Sequence, residues 1–249
     1  MILFIQNVYA QPTFTDGSKL GLFIRSEFGS IDDEALLDFK NEYNFLTEGF
    51  KQKRTQLKSD ELFLKRVFYK THRKFLGEYE QGASFHEMIG KRKVYDCVTG
   101  TALYALILED LNIEYEIRET DYHVYLMVKM GDRSYLMEST DPLNGFAVNS
   151  KEIEMRRNYV INDARSINEK LSLSGVASNE ETRQNVNVID NAVSLQQLAG
   201  LQYYNQALRQ FNKEDFRKAF QYIIIAQGIY PSTRIKHASS YMFSVAFGD

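Results

Sequence analysis

One stretch, Val94 to Pro142, limits the possible folds more than any other. From Cys97 to Leu111 it reads C-V-T-G-T-A-L-Y-A-L-I-L-E-D-L, an apolar helical run with Ala102, Leu103, Ala105, Leu106 and Leu108 at its heart. Gly100 and Ala102 leave room near its start, as a buried central helix packed against a sheet needs. The pattern then changes period. Asn112 to Glu119 alternates, with Ile113, Tyr115 and Ile117 on one side and Glu114, Glu116 and Arg118 on the other, which is the signature of a half-buried strand. His123 to Met130 and Ser134 to Ser139 read as two further strands about Gly131-Asp132-Arg133, an antiparallel hairpin. An apolar helix followed by antiparallel strands implies an α+β fold.

The same stretch carries the chain's only cysteine. Asp96 or Cys97 starts the helix. Backbone N–H groups at a helix N-terminus carry partial positive charge, which favours a thiolate and can cradle an oxyanion. His123 heads the second strand and Glu138 closes the third. A thiol, an imidazole to take its proton and an acid to hold the imidazole are the parts of a nucleophilic site. The turn decides which acid is used. A two-residue loop puts His123 opposite Thr140 with Glu138 one diagonal step away on the same face, whereas a three-residue loop brings Asp141 opposite.

Helices are expected on both sides of this stretch. Ser30 and Ser59, each followed by acidic residues, start helices running to about Gln52 and Gly77. Leu20, Leu22, Phe23 and Ile24 suggest a short strand. His72 and His86 read as packed or surface histidines. Past Pro142 the chain is loop-like with a short helix over 150–158, and 159–193 is polar and linker-like. From Ser194 a helical pair turns at Asn212-Lys213-Glu214-Asp215 and ends at Tyr230-Pro231, with a further amphipathic run from Ile235 to Phe247.

Charge and cysteine usage exclude several classes. A net charge of −3 gives no footprint for nucleic acid. One cysteine makes neither an internal disulfide nor a multi-cysteine metal centre, and no EF-hand-like loop is present, so no metal or cofactor is expected. No apolar run has membrane-spanning length. Residues 1–10 are apolar and end in Val8-Tyr9-Ala10, a cleavage-like sequence. They read as the remnant of an export signal lacking its basic start, which would place the protein in the periplasm or outside the cell; the competing reading is a short strand in a cytoplasmic protein.

Taken together, Y-D-C-V-T-G-T-A-L-Y-A-L around Cys97, Y-H-V-Y-L-M-V around His123 and Y-L-M-E-S-T around Glu138 resemble the transglutaminase-like, papain-related cysteine superfamily. In that family a Cys begins a central helix, a His begins the next but one strand, and an acid follows in the adjacent strand, often as acid-x-Thr. The chain departs from the pattern in having no tryptophan, with Tyr125 and Tyr135 at the corresponding places, and in using Glu where Asp is commoner. The resemblance implies a papain-like/transglutaminase-like domain over 11–158. Beyond the linker, residues 194–249 resemble a tetratricopeptide repeat, with Ala207, Ala219, Ala226 and Pro231 at that repeat's small-residue and exit positions. The activity implied is acyl transfer on amide bonds of a peptide or protein substrate through Cys97, His123 and Glu138, with hydrolysis favoured over cross-linking. The alternative is a catalytically silent fold that binds a peptide or protein through its C-terminal helices, with Tyr203, Tyr204, Phe220 and Tyr222 on their surface.

Overall fold

The computed structural model describes residues 19–24, 32–57, 59–120, 123–159 and 190–248. The export-signal reading of residues 1–10 lies outside them. Most of the linker, residues 160–189, lies outside them as well. The described part is a mixed α+β structure whose centre is the helix α4 (Cys97–Asp110), buried at every position from Cys97 to Leu108. Its side chains are apolar on all sides, so it is stable only where other elements surround it.

Two helices precede it. In α1 (Asp33–Gln56) the cap is Asp32, which accepts from the Glu34 N–H at 3.1 Å. Ser59 caps α2 (Asp60–Phe75), where Phe63, Leu64, Val67, Phe68, Thr71 and Phe75 recur at helical spacing and are buried. The strand expected near Leu20 is instead a 3₁₀ turn, Lys19–Leu22. Its backbone bonds are local, Phe23 N–H to Leu20 C=O at 3.0 Å, and the segment is anchored by the fully buried Phe23 ring against Phe85. The short α3 (Phe85–Ile89) opens with a reciprocal cap between Ser84 and Glu87.

The sheet comprises β1 (Glu114–Thr120), β2 (Val124–Met130), β3 (Arg133–Met137), β4 (Phe146–Ala147) and β5 (Asp190–Val193), in the order β4-β3-β2-β1-β5 and antiparallel throughout. Val124, Leu126, Val128 and Met130 alternate onto the face that joins the main core with α4. Tyr125 and Met127 point the other way, to Leu136, Ala147 and Ile153 of the helix α5 over residues 150–159. The last four residues of the stretch read as a linker are thus a sheet strand.

Met130 pairs with Arg133, so the hairpin turn is the two-residue one, with Gly131 at φ +59°. Continued past Leu126↔Met137, that register sets His123 opposite Thr140 and Glu138 one diagonal step away. Beyond Glu138 the chain folds back: the Glu138 N–H donates to the Gly145 carbonyl at 2.7 Å, and the Gly145 N–H to the Asp141 carbonyl at 2.8 Å. A Cβ at Gly145 would lie 2.0 Å from the Glu138 carbonyl oxygen and 2.5 Å from that of Asp141. Both obstacles are backbone. Gly145→Ala should therefore cost about 3 kcal/mol and lower the thermal midpoint by about 6–12 °C, as read by calorimetry; an unchanged midpoint would show that the return loop is not tight.

The C-terminal helices α6 (Leu195–Asn212), α7 (Phe216–Ile229) and α8 (Thr233–Phe247) begin on Ser194, Asp215 and Ser232 caps. Leu198, Ala207, Ala219, Ile223, Ala226 and Ile235 share one hydrophobic cluster with α4 and the sheet. The expected surface presentation of aromatics fails at Tyr203 and Tyr222, which are buried, and Tyr204 and Phe220 are partly buried against the core. Their helices turn those rings inward to cover α4 and each other. Tyr241, Phe243 and Phe247 of α8 are exposed instead. Among the described residues no helix is long and apolar enough to cross a membrane.

Candidate active site

Cys97 is placed by the cap that precedes it. Asp96 Oδ1 accepts from the Thr99 N–H at 2.8 Å, and Thr99 Oγ1 accepts from the Asp96 N–H at 2.9 Å. These two bonds fix where the helix begins and put Cys97 at its first position. Asp96 is itself wholly enclosed. Burial raises its pKa, while bonds from Thr99, Asn205 and Val98 pull the other way. Close by, Gly100 lies against Ser139, where a Cβ would meet the Ser139 side chain at 2.7 Å. The first turn of α4 can approach the end of β3 only because that position has no side chain.

His123 is fixed from the β1 side. The Thr120 N–H donates to the His123 carbonyl at 2.7 Å, and Thr120 Oγ1 accepts from the His123 N–H at 3.0 Å. His123 Nε2 and Glu138 Oε1 are 2.9 Å apart. The same carboxylate oxygen accepts from the Thr140 N–H and the Thr140 hydroxyl, each at 2.7 Å. Cys97 acts on the same ring, helping to raise the pKa of the imidazole. With Nε2 turned to Glu138, Nδ1 is the ring atom left for the sulfur.

The three sequence-selected side chains are therefore neighbours. Cys97 is 7 % exposed and Glu138 6 %. Asp141, the other acid considered, faces away: its Oδ1 accepts from the Leu143 and Asn144 N–H groups, and its Oδ2 pairs with Arg156 at 2.8 Å. The two-residue turn accounts for the choice.

The charges are mutually supporting. For His123, burial works against the protonated ring, but hydrogen bonds and charge from Cys97 and Glu138 outweigh it and raise the pKa to about 10. Burial likewise opposes ionisation of Glu138, yet the bond and charge of His123 and the Thr140 donors bring its pKa below the usual glutamate value. A histidine whose folded pKa lies above its unfolded value of about 6.5 adds stability that is complete below that value and disappears as pH rises through the folded pKa. The urea midpoint of the native protein should hence fall between about pH 6.5 and pH 10 more steeply than that of His123→Gln. Parallel curves would show that His123 gains nothing from its two partners.

Sequence reasoning passed over the support behind the acid. His72 of α2 has its Nε2 3.2 Å from the Tyr95 hydroxyl, and the Ser139 backbone acts on its ring. Burial lowers the His72 pKa, opposed by the Ser139 backbone and the charge of Glu138. Burial, and then the charge of Glu138, pushes Tyr95 up to about 12. The Tyr79 ring packs edge-on against Tyr95 at 5.8 Å and is exposed. Tyr135, one of the two tyrosines at tryptophan places, stacks on Phe146 at 5.9 Å and, like Tyr125, is buried in the body of the sheet.

Chemically, the cluster supplies a sulfur at a helix start, an imidazole able to exchange a proton with it, and a carboxylate that holds the imidazole. Among the described residues no three His, Cys, Asp or Glu side chains gather in an arrangement that could hold a metal ion. No family model matches the chain, and no curated protein or solved structure matches it.

Proposed function

We propose that the protein is a thiol enzyme of transglutaminase-like, papain-related type, acting on amide bonds of a peptide or protein by acyl transfer. The observation that carries the reading is His123, whose Nε2 lies 2.9 Å from Glu138 Oε1 and whose ring is held in its protonated form by both Glu138 and Cys97. In this reading the Cys97 sulfur attacks the amide carbonyl. His123 then gives its proton to the departing amine, leaving a thioester, and later takes a proton from the acceptor that releases the acyl group. With water as acceptor the reaction is hydrolysis, the more general outcome; with an amine it is cross-linking. Asp96 already accepts from the Thr99 N–H, and the proposal assigns the oxyanion to the N–H of Cys97 itself. No cofactor is required.

The bundle formed by α6–α8 is read as a tetratricopeptide-like unit. Support comes from Ala207, Ala219 and Ala226, which are fully buried where the helices cross. The silent alternative keeps the same fold and gives those helices a peptide or protein to bind. It is favoured only by the exposed rings of Tyr241, Phe243 and Phe247. An export signal in residues 1–10 would place either protein outside the cytoplasm.

The rate of Cys97 alkylation by iodoacetamide against pH separates the two. An ordinary thiol loses about tenfold in rate for each pH unit below its reference pKa of about 8.5. A sulfur paired with an imidazolium keeps its rate, so a nearly flat profile from pH 6 to pH 8 is expected. A tenfold fall per unit across that range would leave the silent fold as the reading.

A further inference from the structure

The C-terminal helices touch the machinery on both sides of the reacting pair. On one side, Asn205 of α6 donates through Nδ2 to Asp96 Oδ2 at 3.1 Å, and Asp96 is the cap on which Cys97 stands. The neighbouring turns of α6 fasten the loop beside it. Arg209 holds both carboxylate oxygens of Glu87, at 2.7 and 2.8 Å, and also pairs with Glu80, whose N–H donates to the Tyr95 carbonyl at 2.9 Å. Gln206 donates to the Gly82 carbonyl. On the other side, Glu119 of β1 is 2 % exposed, and its two carboxylate oxygens are taken by the Tyr230 hydroxyl at 2.6 Å and by the Arg234 guanidinium. The next residue is Thr120, which holds His123 by both its N–H and its carbonyl.

These contacts are long-range and polar. Helices that merely covered the core would need only the apolar contacts that Leu198, Ile223 and Ile235 make. Here buried polar groups on the core are satisfied by side chains from the bundle: Asp96 directly precedes Cys97, and Glu119 directly precedes Thr120, the residue that holds His123. A buried carboxylate without its partners is costly, so Glu119 stays in place only while Tyr230 and Arg234 do. The direction of β1 at Thr120, and with it the His123 main chain, follows.

We infer that α6–α8 set the separation of Cys97 and His123, with Asn205 as the positioning residue on the sulfur side and Tyr230 and Arg234 as positioning residues on the imidazole side. The bundle is then part of the enzyme, not a module appended to it. This rests on the acyl-transfer reading for its chemical meaning, though the placement of His123 can be measured without any substrate.

The test uses the full chain in two measurements on Asn205→Leu, Tyr230→Phe and Ile223→Val. The last trims the core face of α7 and touches neither contact, so it controls for stability. The first measurement is Cys97 alkylation by iodoacetamide at pH 6 and pH 9; the second is the low-field proton resonance of the His123–Glu138 bond in ¹⁵N-labelled protein. Loss of either contact should lower the rate at pH 6 about fivefold and change it less than twofold at pH 9. Tyr230→Phe should also shift or broaden the low-field proton. Ile223→Val, with a comparable drop in thermal midpoint, should leave both unchanged. If Asn205→Leu and Tyr230→Phe match Ile223→Val in both measurements, the positioning role is overturned. A native protein that alkylates as an ordinary thiol would remove the acyl-transfer reading, and the resonance would still decide whether Tyr230 places His123.

Discussion

His123→Ala is expected to slow alkylation of Cys97 at pH 6 by about 100-fold, the low end of what a positioned acid–base group contributes. The steep pH dependence of an ordinary thiol should return. The ring contacts Glu138 and is acted on by Cys97, so its loss removes the group that links the two. Glu138→Gln should have a smaller effect, about tenfold, because Gln can still accept from Nε2 while the charge that supports the imidazolium is lost. Thr140 donates twice to Glu138 Oε1, so the acid remains anchored without the histidine, and His123→Ala should fold with a stability loss of about 1–3 kcal/mol. Equal rates in native protein, His123→Ala and Glu138→Gln would mean that the three groups are neighbours without being a working set.

Arg234→Ala is expected to be the most destabilising single change in the C-terminal helices, about 3 kcal/mol by urea unfolding. Removing one partner of a buried ion pair leaves a charge that water cannot reach; the usual loss of about 3–5 kcal/mol is discounted because the Arg234 side chain is 24 % exposed. The guanidinium also lies over the Tyr204 ring at 5.1 Å, a contact that alanine cannot make. Replacing both charged partners, Glu119→Gln with Arg234→Gln, should cost less than Arg234→Ala alone, since no unpaired charge remains. A coupling energy below about 0.5 kcal/mol between the two positions would show that the pair acts as two independent surface groups.

The cluster of Cys97, His123 and Glu138 was legible because each of its parts has a local signature. Asp96 and Thr99 mark a helix start in sequence, the all-apolar run after Cys97 marks a buried helix, and Gly131-Asp132 marks a tight hairpin. Parity then gave both acid options, and only the turn length, visible as Met130↔Arg133, chose Glu138. The bundle's contacts had no such signature. Asn205 and Asp96 are 109 positions apart, and Arg234 and Glu119 are 115 apart, so no periodicity links them. One clue was available. Glu119 shares its parity with Ile113, Tyr115 and Ile117, the apolar side of β1, and an acid on that side requires a partner. The segment around Leu20 misled because an apolar cluster of strand-like composition can equally well anchor by a single ring, here Phe23, when no neighbouring strand pairs with it.

The strand order carries a consequence for synthesis. β1 lies between β2 and β5, and Arg118 meets Asp190 across 72 positions of chain. At about 5–20 residues per second, a ribosome would expose β1 with one side unpaired for several seconds after Cys97, His123 and Glu138 had all been translated. Glu116 and Arg118 sit along that waiting strand, and such charges discourage a stray strand from another nascent chain. Arg234 comes later still, so Glu119 waits for its ion-pair partner until 115 further positions of chain have been made.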